Sequence, residues 1–101
     1  MEKHSMIHHL VLFRLQADVD ETLIVEHMAD FAALKDQIAT IAQLEVKRDI
    51  VGRPVSAHFG LVSQFTDQDA LREYQQHPNH IAAFDRLKPR LDHMLVLDYE
   101  L

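Results

Sequence analysis

The chain of 101 residues has no cysteine and no tryptophan. It also has no surplus of basic residues and no apolar run near the length of a membrane span. Without cysteine there is no disulfide, no thiolate nucleophile and no cysteine-based zinc site. Ten Lys and Arg against sixteen Asp and Glu leave a formal charge of −6. The cations are scattered rather than massed, which argues against nucleic acid or an anionic membrane surface as a partner. A membrane helix needs about 20 apolar residues, and the start "MEKHSMIHH" has no apolar core of the export type, so a cytoplasmic location is the expectation.

What is present is ordinary folding material. Hydrophobic residues make up 48% and charged residues 26% of the chain, close to globular usage. One domain spanning 1–101 fits the length.

Periodicity then orders the elements. "MIHHLVLFRL" at 6–15 has the length and β-branched, aromatic content of a strand. Asp18 and Glu21 have the spacing of a capping box, so a helix is expected from about residue 19. Leu23, His27, Phe31, Leu34 and Ile38, with Met28 alongside, then recur three and four apart, the stripe of one helix of about five turns. Strands follow at 43–50 and 57–66, separated by the turn signal Gly52-Arg53-Pro54. Asp67 can cap a short helix that stops at His77, because a residue before proline is pushed out of the helical region. Pro78 suits the first turn of the next helix, which carries Ile81, Phe84 and Leu87 until Pro89 ends or kinks it. "HMLVLDYE" at 93–100 reads as the last strand.

The order β-α-β-β-α-β, with the second helix broken at Pro78, predicts an α+β, ferredoxin-like sandwich with a four-stranded antiparallel sheet. Such a sheet, covered by helices on one side, should be polar on the other. Here strand 6–15 puts His9, Val11, Phe13 and Leu15 on one face and His8, Leu10, Leu12 and Arg14 on the other. Residues 93–100 are likewise apolar on both faces. At about 25 cal/mol per Å² of apolar surface, even a few hundred Å² favours association by several kcal/mol before association costs. A sheet-to-sheet homodimer is therefore predicted.

Several separated stretches carry a family resemblance: "HHLVLFRL", "LKDQI", "LEVKRDIVGRP", the Y-x-x-H-P-x-H element at 74–80, and "LVLDYE". Together they resemble the stress-responsive A/B barrel (Dabb, dimeric α+β barrel) family over nearly the whole chain. The resemblance implies a homodimer whose two sheets close into a barrel, with helices outside and a small cavity between each sheet and its helices. It implies no single function. Plant relatives are linked to stress tolerance, and one relative closes a polyketide by aldol condensation. That cyclase uses a tyrosine and a histidine that fall on Tyr74 and His80, and a further cavity histidine that corresponds to His9. Its cavity wall is not reproduced, since His27, Met28 and Phe31 stand here, which implies a different substrate. A haem-degrading monooxygenase on the same barrel fits poorly, because the chain has no tryptophan and none of that family's motifs.

The residues support the same positions independently. His9, Val11 and Phe13 share one face of a strand, and if that face meets the helices it meets His27 and Phe31. Met28, Phe59 and Leu61 complete a candidate apolar lining. A few polar groups converging in an apolar pocket is the usual form of a small-molecule site. His80, in the first turn of a helix, feels the positive end of the helix dipole, which favours neutral imidazole. Beside a tyrosine hydroxyl, such an imidazole can take a proton next to a carbonyl without a cofactor.

Each position has a plainer role as well. Tyr74, His77 and Pro78 can be packing and hinge residues of a helix break, and His9 a strand histidine hydrogen-bonded to backbone. Met28, Phe31, Phe59 and Leu61 can be simple core. His77 and His80 are three apart, but the proline between them spoils helical register and no carboxylate completes a set, so neither a metal nor any other cofactor is expected. His4, His58 and His93 read as surface or strand-end residues. Two classes of function stay open: a dimeric stress-response or ligand-binding module, and a cofactor-free cyclase, isomerase or related lyase working through Tyr74 and His80.

Overall fold

The structure, a computed structural model, describes residues 6–101; His4 lies outside them. Alternation in β1 (Ile7–Leu15) decides which side of the sheet becomes the core. Ile7, His9, Val11, Phe13 and Leu15 are buried, while their neighbours in sequence point to the opposite face. The chain continues through α1 (Glu21–Ala32), α2 (Leu34–Gln37), β2 (Gln43–Arg48), β3 (Phe59–Phe65), α3 (Gln68–Gln76), α4 (Pro78–Leu87), a 3₁₀ turn (Lys88–Arg90) and β4 (Leu91–Glu100).

The strands form one antiparallel sheet in the order β2-β3-β1-β4. The ferredoxin-like sandwich is therefore present, but closure of sheets into a barrel is not. The sheet is open, with β2 and β4 as its two free edges. Closure requires strand tilt and a fixed stagger that bring the outer strands into hydrogen bonding, and in this order β2 and β4 are separated by the full width of the sheet.

Two local expectations are also corrected. The cap of α1 is Asp20, whose carboxylate accepts from the Leu23 amide at 2.9 Å, and not the Asp18–Glu21 pair. Glu21 instead forms an ion pair with Arg48 at 2.8 Å, tying α1 to β2. The long helix expected to reach residue 38 is broken at Ala33. Leu34, Ile38 and Ile41 beyond the break are nonetheless buried.

The core is anchored by three rings. Phe31 of α1 stacks on Phe13 of β1 at 5.4 Å between centroids, and Phe59 of β3 lies 5.1 Å from Phe13 and 6.3 Å from Phe31. Such offset and tilted pairs add to the apolar area they bury. On the other side of the sheet Leu12, Val62, Leu95, Leu97 and Tyr99 are exposed, and no helix among the described residues covers them. Gly60 lies among them because a Cβ there would come within 3.0 Å of both the Leu12 side chain and the Val11 carbonyl. Among the described residues no helix is long and apolar enough to cross a membrane.

His27 sits on the buried face of α1 with Ile24 and Phe31. No protein group among the described residues hydrogen-bonds either of its ring nitrogens. Burial, and then the charge of Arg90, hold its pKa below 6.5. The unfolded chain therefore binds the proton first, so stability is full above about pH 6.5 and falls as pH drops below it. An unpartnered buried polar group costs about 1–3 kcal/mol. We expect His27→Leu to raise stability by about 1 kcal/mol and to flatten the acid limb of a melting-temperature profile. A loss of stability in that variant would show that the ring nitrogens are satisfied.

Candidate functional site

The helix break aims the site. Asp67 starts α3 by accepting from the Ala70 amide at 2.8 Å, and the helix ends at His77, whose backbone is extended as a residue before proline must be. His77 then caps α4, its Nδ1 accepting from the Asn79 amide at 3.1 Å, and Pro78 occupies the first helical turn. His77 and Pro78 thus form the bend between the two helices. Across this bend Tyr74 from the last turn of α3 meets His80 from the first turn of α4, with ring centroids 4.4 Å apart.

Tyr74 is 1% exposed and packs on Phe65 at 5.0 Å. Burial raises its pKa, so the phenol keeps its proton and has a hydrogen to donate. Burial lowers the pKa of His80, with the nearby His9 and His77 adding to the effect and the Gln75 carbonyl opposing it. That carbonyl oxygen lies 3.2 Å from His80 Nδ1. A carbonyl only accepts, so Nδ1 carries the hydrogen and Nε2 of the neutral ring holds a free lone pair.

On the facing strand, His9 is 5% exposed. Its Nδ1 is hydrogen-bonded to the Asp98 carboxylate of β4, and its ring lies edge-on to Tyr74 with centroids 6.2 Å apart. Antiparallel register places Asp98 directly opposite His9. The His9 backbone carbonyl accepts from the Ser63 hydroxyl at 2.9 Å, fixing the strand at that point.

These groups surround a cavity of about 220 Å³ between the sheet and the α3–α4 bend. Its polar wall is His9, Tyr74, Gln75 and His80, and its apolar wall Val11, Phe13, Leu61, Phe84, Met94 and Val96. The cavity is thus bounded by β1, β3, α3, α4 and the edge strand β4. An engineered cavity of about 150 Å³ takes benzene, so this one has room for a single ring with a short substituent.

Of the residues singled out from sequence, His9, Val11, Phe13, Leu61, Tyr74 and His80 come together here. His27, Met28, Phe31 and Phe59 do not line this cavity. Phe31 and Phe59 are buried in the aromatic core, and Met28 is partly buried against it. His58, just before β3, accepts the Leu15 amide on Nδ1 at 2.9 Å, and His93 is exposed on β4. Sequence reasoning missed Gln75, Phe84, Met94, Val96 and above all Asp98. Pairing the first and last strands of the predicted fold gives the signal for Asp98, since that register sets it beside His9.

Residues 7–101 match the family described as Stress responsive A/B Barrel Domain. An uncharacterized protein of Streptomyces coelicolor is 39% identical over 79 residues, covering 76% of this chain and 81% of its own length. Among solved structures, a dimeric protein of unknown function with a ferredoxin-like fold from Bacteroides fragilis is 30% identical. Its TM-score is 0.82, over 95% of this chain and 96% of that one. A Dabb family protein with a ferredoxin-like fold from Mesorhizobium loti is 29% identical, with a TM-score of 0.79 over 94% and 95% of the two chains. With the family's match running over nearly the full sequence and the ferredoxin-like topology in place, the chain belongs to the stress-responsive A/B barrel domain (Dabb) family.

Proposed function

We propose that this protein works as a homodimer of two open sheets stacked through their apolar faces, each subunit binding one small, largely apolar ligand in the cavity at the α3–α4 bend. The observation that carries the ligand reading is the wall itself: six apolar side chains with His9, Tyr74, Gln75 and His80 converging among them. The uncovered residues of β1, β3 and β4 support the dimer, as does the dimeric Bacteroides fragilis relative. A stress-response role accords with the family.

A second reading is supported by the tautomer of His80. A neutral imidazole with a free Nε2, beside a protonated Tyr74 phenol, can take a proton from the carbon next to a ligand's carbonyl while the phenol hydrogen-bonds the enolate oxygen. This is cofactor-free chemistry of the cyclase or isomerase type.

Thermal shift with single-ring ketones, alcohols and hydrocarbons tests the ligand reading. A compound bound only by the folded state, at 100 times its Kd, stabilises by about 2.7 kcal/mol. We expect wild type to respond to at least one oxygen-bearing ring compound and His80→Ala, still folded, to lose most of that response. Equal responses from the two proteins would contradict the reading.

A further inference from the structure

The two histidines of the cavity have different partners, and the difference assigns them different work. His80 Nδ1 donates to a neutral carbonyl, that of Gln75, at 3.2 Å. His9 Nδ1 is held by a carboxylate, that of Asp98. A carbonyl fixes the tautomer of an imidazole but adds no full charge to balance a proton gained. A carboxylate fixes the tautomer and also stabilises imidazolium. Tyr74 neighbours both rings, 4.4 Å from His80 and 6.2 Å from His9 by centroid.

We propose that the cavity is a two-histidine proton-shift site for a small β,γ-unsaturated carbonyl compound, with His80 as the base, His9 as the acid and Asp98 as the residue that positions and charges His9. The proposal rests on the proton-transfer reading above and deepens it by adding the acid and the substrate class.

The step balances without any co-reactant. His80 Nε2 takes a proton from the carbon beside the carbonyl, so a C–H bond breaks, an N–H bond forms and the electron pair passes into a dienolate. The dienolate oxygen accepts a hydrogen bond from the Tyr74 hydroxyl. Imidazolium His9 then gives its Nε2 proton to the carbon at the far end of the conjugated system, restoring the carbonyl and moving the double bond. Exchange with water returns one proton to His9 and removes one from His80.

The carboxylate that holds His9 faces solvent. The Asp98 side chain is 44% exposed and borders a second, polar cleft of about 440 Å³ with Gln68, Arg72 and Glu100. Gln75 lines both the cleft and the cavity. The His9–Asp98 pair therefore sets a buried ring against a carboxylate that is open to solvent.

The test uses cyclohex-3-en-1-one with the full-length protein in D₂O. Its conversion to cyclohex-2-en-1-one is followed by ultraviolet absorbance, and deuterium at C2 and C4 by NMR. Wild type is expected to exchange the C2 hydrogens and to deliver deuterium to C4. Asp98→Asn is expected to keep C2 exchange within about threefold and KM nearly unchanged, while kcat for conversion falls at least tenfold. A merely structural role for Asp98 would move both processes together. His9→Asn should behave like Asp98→Asn, and should it fail to fold, Asp98→Asn carries the test alone. Conversion at the wild-type rate in Asp98→Asn, with His80→Ala inactive, overturns the role of the pair and leaves the His80 reading standing. No C2 exchange in wild type above that of buffer overturns both.

Discussion

Phe31→Ala is expected to cost the fold about 3–5 kcal/mol and to lower the melting temperature by more than about 12 °C. Phe31 is fully buried and packs against both Phe13 and Phe59. Truncation removes its apolar area and both ring contacts, and the rigid sheet beneath cannot collapse into the space. Domains of this size have about 5–15 kcal/mol in all, so the variant should sit near the edge of folding. Chemical denaturation read by tyrosine fluorescence and circular dichroism measures the change. A loss below about 1 kcal/mol would mean that Phe31 faces open space, as a wall of a second cavity would.

Leu97→Asp carries the other large effect. Leu97 is exposed on β4, pairs with Leu10 across β1, and lies between Leu95 and Tyr99 on the uncovered face. In a two-fold assembly the substitution enters the interface twice. Two unpaired carboxylates among apolar side chains must stay hydrated or be neutralised, and either outcome opposes stacking. We expect the dimer dissociation constant to rise by at least about 100-fold, equivalent to about 2.8 kcal/mol. Light scattering at low micromolar concentration should then return the mass of one chain for the variant and of two for wild type. Val25→Asp, on the exposed side of α1, should leave the mass of wild type. A Leu97→Asp protein that stays dimeric would place the interface elsewhere.

Much of this was legible in the residues, and the parts that were not share a physical cause. Strand alternation put His9, Val11 and Phe13 on one face, because a period of two leaves no other arrangement. Proline geometry located the α3–α4 bend, and with it the meeting of Tyr74 and His80. Helical spacing found the buried stripe of α1, but a stripe does not say whether its residues border space or fill it. His27 and Phe31 were therefore readable as cavity or as core, and packing put them away from the cavity. Asp98 was missed because its role depends on cross-strand register over 89 positions, which composition does not carry. The break at Ala33 has no proline or glycine to announce it. Sheet closure, expected from family resemblance, depends on how the outer strands meet, and here the edges β2 and β4 stay apart.

The central claim is that the space between His9, Tyr74 and His80 is a ligand site. Methyl-resolved NMR during titration with acetophenone, a single ring bearing a ketone, tests it most directly. Saturable shifts are expected at Met94, Val11, Val96 and Leu61, which border the cavity, with little change at Leu10, Leu12 and Leu95 on the opposite face. Shifts confined to that opposite face, or none at all at millimolar ligand, would contradict it.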